Sequence, residues 1–91
     1  MKIQILDLAI QDLQGGRDFY EKQQQGLGDY FLDSIFADIE SLQLYAGIHP
    51  QFFGYYRLLA QRFPYAIYYQ SSQDEIQIWR ILDCRAKLTH F

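Results

Sequence analysis

Apolar and polar residues alternate at the start of the chain, where Ile3 and Ile5 flank Gln4 and follow Lys2, and Leu6 and Leu8 come next. A period of two places Ile3 and Ile5 on one face of an extended segment, so the pattern predicts a strand over Ile3–Leu8. From Ala9 the period becomes helical. Ala9, Leu13, Gly16 and Tyr20 stand at i, i+4, i+7 and i+11, one stripe along a helix. The Gly15-Gly16 pair inside it costs about 1 kcal/mol per glycine relative to alanine. Gly16 lies on the stripe, where close approach of a second helix offsets its share. Gly15 has no such compensation and is the weak point of an unbroken helix.

The segment Gln23-Gln24-Gln25-Gly26-Leu27-Gly28 ends this helix and turns the chain, and Asp29 is of the type that caps a following helix. Phe31, Leu32, Ile35, Phe36, Ile39 and Leu42 then share about 140° of arc at 100° per residue. Asp33, Ser34, Asp38, Glu40 and Ser41 take the opposite side. Two amphipathic helices joined by a glycine turn form a helical hairpin. Gly47-Ile48-His49-Pro50 reads as loop, and three segments of strand composition follow: Tyr55–Gln61, Tyr65–Ser71 and Glu75–Asp83. Phe63-Pro64 separates the first two, where a proline is tolerated at a strand start. Ser71-Ser72-Gln73-Asp74 makes a polar hairpin turn before the third. The expected order is β-α-α-β-β-β, an α+β fold with the helical hairpin on one face of an antiparallel sheet. Residues 1–91 form one domain.

Size and charge narrow the function. A domain of 91 residues buries only about 60–65% of the surface its unfolded chain exposes. Eight Tyr, seven Phe and one Trp supply bulk for so small a core and also suit an interface. A lone cysteine, Cys84, excludes an internal disulfide and a cysteine zinc cluster. With no signal segment and no run of about 18 apolar residues, the expectation is a cytoplasmic protein without a membrane span. Residues 1–46 carry three basic residues against eight acidic ones, a net −5; residues 47–91 carry five against three, a net +2. The overall −3 argues against a general nucleic-acid binder, and any basic patch is local.

Catalytic motifs are sparse. Gly26-Leu27-Gly28 lacks the third glycine and the preceding strand of a nucleotide loop. His49 and His90 read as loop or packing residues, Cys84 as a packing thiol, and no metal or cofactor is expected. The arginines carry more information. Arg57, Arg62, Arg80 and Arg85 all fall on or beside the three C-terminal strands, where side chains of neighbouring strands stand about 5 Å apart. Two readings stay open. Either the four guanidiniums converge, flanked by Tyr56, Tyr65, Tyr69 and Trp79, to grip phosphates or carboxylates, or Arg80 pairs with Asp83 or Glu75 and the others are solvated. Alternation puts Arg57 with Tyr55 and Leu59, and Arg80 with Ile76 and Ile78, so some of these charges border apolar surface and need partners.

The stretch Phe19–Gln23 through Gly26–Asp33, then Gly47–Pro50, Arg57-Leu58-Leu59, Arg62–Tyr69 and Leu82–Arg85, resembles the plasmid-stabilisation subgroup of the RelE/ParE toxin superfamily. The similarity spans nearly the whole chain, and Arg62-Phe63-Pro64-Tyr65 is its most specific piece. The resemblance implies the toxin of a type II toxin–antitoxin module, neutralised by a cognate antitoxin. RelE-branch members cut messenger RNA on the ribosome; ParE-branch members block DNA gyrase. Target contact is expected at Arg57, Arg62, Tyr65, Arg80 and Arg85, and the resemblance matches Arg57 and Arg85 to basic positions of the RelE catalytic set. Ala66 and Leu59 stand where the RelE branch has basic residues, and Phe91 falls near its tail tyrosine. Cleavage by 2′-hydroxyl attack needs a proton acceptor that no aligned residue supplies. A non-catalytic, ParE-like inhibitor is therefore favoured over an endoribonuclease and over a harmless relative that only binds partners. An antitoxin helix or strand would cross the helices or extend the sheet edge. Whether the chain also pairs with itself as a homodimer is left open.

Overall fold

Leu6 decides where the first strand stops. Its N–H bonds the Ile78 carbonyl at 3.0 Å, and its own carbonyl accepts from the Ile10 N–H at 3.0 Å. One residue thus closes β1 (Lys2–Ile5) and opens α1 (Asp7–Gln23). The strand expected to reach Leu8 is shorter for this reason, and Leu8 lies on the solvent side of α1. This structure, a computed structural model, describes residues 1–85.

The glycine pair does not interrupt α1. Gly16 lets Phe31 of α2 (Leu27–Glu40) lie directly against the backbone, where a Cβ would stand 2.6 Å from Phe31 Cζ. Helix α2 begins two residues ahead of Asp29. Its N-cap, Gly26, has a φ of +87° and no side chain to cap with. The Glu21 carboxylate does that work from α1, accepting from the Gly26 N–H at 3.1 Å and the Gly28 N–H at 2.9 Å. These two bonds hold Glu21 below the usual carboxylate range. Asp29, expected as the cap, lies 3.6 Å from the Arg17 guanidinium. The chain breaks at Ser41, whose Oγ donates to the Asp38 carbonyl at 2.6 Å. A single turn, α3 (Leu42–Tyr45), continues the apolar stripe and buries Leu42 completely.

The sheet holds β2 (Gln51–Phe52), β3 (Tyr55–Leu59), β4 (Tyr65–Ser71) and β5 (Glu75–Asp83) with β1, in the order β1-β5-β4-β3-β2. The meander β3-β4-β5 is antiparallel as expected, but β1 runs parallel to β5, so the sheet is mixed. Strand β2 has no signal in the periodicity. It is two residues long and turns into β3 through Phe53-Gly54, both at positive φ, as tight hairpin turns require. Strand β3 ends at Leu59: Ala60 N–H bonds the Tyr65 carbonyl, and Gln61 N–H is taken by the Asp38 carboxylate at 3.2 Å. Burial raises the Asp38 carboxyl above its ordinary value.

Both helices cover one face. Ala9, Leu13, Tyr20, Phe31, Ile35, Ile39 and Leu42 meet Ile67, Tyr69, Ile76, Ile78 and Ile81. Tyr20, Phe31, Phe63 and Tyr65 interlock at one end, with ring centroids 4.8–5.2 Å apart in the closest pairs. At the other end the buried Tyr69 hydroxyl accepts from the Gly47 N–H at 2.9 Å and bonds His49 Nδ1. The hydroxyl, with one donor and two acceptor positions, serves both the loop backbone and the imidazole. His49 is thereby an anchor for the 47–50 loop.

Burial pushes His49 below its ordinary 6.5. The folded state therefore binds fewer protons than the unfolded chain, and its stability falls as pH drops through 6.5, levelling off below the folded-state pKa. Denaturant midpoints between pH 8 and pH 5 are expected to fall more for the parent than for His49→Asn. Equal slopes over that window would remove His49 as the titrating anchor.

Candidate recognition face

Register assigns each strand residue to one of two faces. Tyr56, Leu58, Ile67, Tyr69, Ile78 and Ile81 point to the helices; Tyr55, Arg57, Leu59, Ala66 and Tyr68 take the other side. That outer face is not open water. Strand β4 is buried from Tyr65 through Tyr69, so Tyr68 is covered although no helix lies above it.

A bulge shapes this face. Tyr68 pairs with Arg80 and Tyr69 with Ile78, leaving Trp79 as the extra residue on β5. Trp79 packs on Tyr55 of β3, with ring centroids 5.5 Å apart. On the other flank the Arg57 guanidinium lies over the Phe52 ring, 3.9 Å from its centroid. Arg57 makes no ion pair among the described residues. Two donors here are buried without an acceptor, Arg57 Nε and Trp79 Nε1. A donor in that condition costs roughly 1–3 kcal/mol.

The other arginines do not join Arg57. Arg80 turns to α1 and grips Asp12 with both Nε (2.8 Å) and Nη2 (3.0 Å). Asp12 Oδ2 also accepts the Ile81 N–H at 2.9 Å, where β5 has outrun its partner β1. The side-chain hydrogen bonding of Arg80 to Asp12 raises the Arg80 pKa further. Arg85 closes on Asp83 through Nε (3.0 Å), Nη2 (2.8 Å) and its own backbone N–H (2.8 Å). It also reaches the Tyr20 hydroxyl of α1 at 3.4 Å, which puts it on the helix side of the sheet. These bonds raise Arg85 and hold Asp83 below the usual carboxylate range. Arg62 is exposed on the β3–β4 turn, near enough to Asp38 to favour its charged form. Tyr65 is buried in the aromatic cluster, and burial with the nearby Asp83 charge pushes its hydroxyl up to about 12.

The four guanidiniums are thus dispersed: one on the outer face, one on the α1 edge, one on the helix side and one on a turn. The partner of Arg80 is Asp12, 68 residues away, and neither Asp83 nor Glu75. Cys84 is exposed, and its N–H bonds the Pro64 carbonyl at 2.7 Å. His90 and Phe91 lie outside the described residues. No helix among those described is long and apolar enough to cross a membrane, and they gather no group of three His, Cys, Asp or Glu side chains.

The family model for the ParE toxin of the type II toxin–antitoxin system, parDE, matches residues 3–87. The chain belongs to the ParE toxin family. Among solved structures it is similar to the chromosomal ParDE toxin–antitoxin system of P. aeruginosa, at 25% identity and a TM-score of 0.72, over 89% of this chain and 92% of that one. No curated protein matches it in sequence. For a ParE-family chain the expected architecture, two helices on a sheet, is the one observed, and membership implies an antitoxin as partner. One residue of the site was missed in the sequence and another was read only in part. Asp12 gave no signal, because its role depends on where β1 stops. Trp79 was read only as a flanking aromatic, because a bulge leaves no mark in alternation.

Proposed function

We propose that this ParE-family chain is a cytoplasmic toxin that arrests growth by seating on a macromolecular target such as DNA gyrase, and that a cognate antitoxin covers it until released. The observation that carries the reading is the dispersal of the arginines. The Arg80 and Arg85 guanidiniums, tied to Asp12 and Asp83, are engaged in holding the fold, whereas cleavage of a messenger needs several cations and a proton acceptor around one phosphate. Inhibition by binding needs a surface alone. In this reading Arg57 touches the target directly and Arg62 from the adjoining turn, while Tyr65, Arg80 and Arg85 act by fixing the strands that present them.

Induction in a bacterial host without antitoxin, with DNA supercoiling and messenger integrity followed in parallel, tests it. Growth arrest with altered supercoiling and intact messenger is expected, together with inhibition of purified gyrase. Messenger cleavage during arrest would restore the endoribonuclease reading, and normal growth under strong induction would leave a harmless relative.

A further inference from the structure

We infer that two copies of this chain pair through the uncharged rim of the sheet formed by residues 41–56. All eight basic and eleven acidic residues lie outside that segment, which holds no Asp, Glu, Lys or Arg. In space the segment is one band. It runs through α3, the 47–50 loop and β2, the edge strand beyond β3. The Tyr69 hydroxyl holds Gly47 and His49, and the Tyr69 ring stacks on Tyr56 with centroids 5.2 Å apart. Tyr56 in turn pairs with Gln51 of β2. The Ile48 N–H turns back onto the Tyr45 carbonyl at 3.3 Å, and the Pro50 carbonyl accepts from the Arg57 N–H at 2.8 Å. Loop, α3 and β2 are thus tied together, and the surface they share is formed before a partner arrives, which lowers the cost of binding.

That surface is apolar and open. Leu44 is 81% exposed, Ile48 72%, Phe53 66%, Tyr45 51% and Phe52 37%. Phe53 stands at the hairpin tip with a φ of +56°, a conformation that suits glycine or asparagine and strains a bulky residue. Strain kept at an exposed aromatic points to a use for its ring. Charge selects a second copy as the occupant. Around a two-fold axis each residue lies near its own image, so a charge close to the axis meets its like. The uncharged rim meets itself without that opposition, although each copy carries a net −3. With about 150–250 Å² to a large side chain, the five exposed residues offer roughly 500 Å² per copy. A pair then removes about 1,000 Å², the lower bound for a specific interface, so the dimer is a weak one that dissociates in the micromolar range.

Sedimentation velocity of the purified chain, from low to high micromolar concentration, tests the pairing. Ile48 lies between α3 and β2 and is placed nearest the axis. Ile48→Lys and Ile48→Glu are each expected to weaken self-association about tenfold or more, because each brings a charge against its own image. An equal mixture of the two is expected to associate again, now through opposite charges, to within about threefold of the parent. Leu44→Glu is a second probe of the same rim and is expected to weaken association as well. All three changes fall on exposed side chains, and circular dichroism checks that each variant is folded. A parent that stays monomeric throughout, a dimer untouched by the three variants, or a mixture no more associated than its components would each overturn the inference. A monomeric parent whose growth arrest is lost in Ile48→Glu would give the rim to the target instead. Growth arrest that persists in a monomeric Ile48→Glu chain, with the mixture associating as expected, would establish pairing as separate from target inhibition.

Discussion

Asp12→Ala is expected to cost about 2–3 kcal/mol, below the range for a fully buried pair because both side chains keep some exposure. Two losses combine. The Arg80 guanidinium, with its side chain 20% exposed, is left facing an apolar edge without its carboxylate, and the Ile81 N–H loses its acceptor. A domain of this length holds roughly 5–14 kcal/mol in total, so the change consumes a large share of it. At about 4–8 °C per kcal/mol, the midpoint of thermal unfolding falls by roughly 10–20 °C. Asp12→Asn keeps an oxygen for Ile81 and loses the charge, and it is expected to fall between. Adding Arg80→Met to Asp12→Ala removes the stranded cation and recovers much of the loss. Guanidinium unfolding at pH 7 measures all four proteins. A cost below 1 kcal/mol for Asp12→Ala would mean that the pair does not close the edge of β5.

That pair also shows what a linear sequence conceals. Ile67, Ile76, Ile78 and Ile81 announce a buried strand face by type and spacing, and the stripe through Ala9, Leu13, Gly16 and Tyr20 announces its cover. Local period and bulk suffice for that, and the order of elements follows. Which arginine meets which acid is a matter of register. Arg80 was expected with Ile76 and Ile78 by simple alternation, but the bulge at Trp79 breaks the alternation between them, and the carboxylate that Arg80 meets lies 68 residues away on α1. The same bulge puts Trp79 on Tyr55, a contact that no count of spacings contains. The early stop of β1 is similar. Leu8 suits a strand by type, yet Leu6 has already given its N–H to Ile78 and its carbonyl to Ile10. In each case a hydrogen bond between distant residues overrides a local preference.

Adjacent glycines are expected to respond in opposite directions to the same substitution. Gly15 has open space where a Cβ would go, so Gly15→Ala is expected to stabilise by about 0.5–1 kcal/mol, the gain in helix propensity and in lost unfolded-state freedom. Gly16 enjoys the same propensity gain, but its Cβ would lie 2.6 Å and 2.7 Å from two ring carbons of Phe31. Phe31 cannot retreat. It is fully buried, with Phe63 at 5.1 Å and Tyr65 at 5.0 Å between ring centroids, and Tyr20 closes the remaining side at 5.2 Å. Forcing a methyl into such packing costs roughly 1–3 kcal/mol or somewhat more, so Gly16→Ala is expected to destabilise by about 2 kcal/mol net of propensity. The two single variants then differ by about 3 kcal/mol, although they change neighbouring residues of one helix in the same way. Gly16→Ala combined with Phe31→Leu is the discriminating measurement. If the methyl is rejected by the ring, the smaller Leu side chain accommodates it, and the pair is less destabilised than the two single costs added together. Strict additivity, or a Gly16→Ala variant as stable as Gly15→Ala, would show that the helices are not held at the distance Phe31 sets.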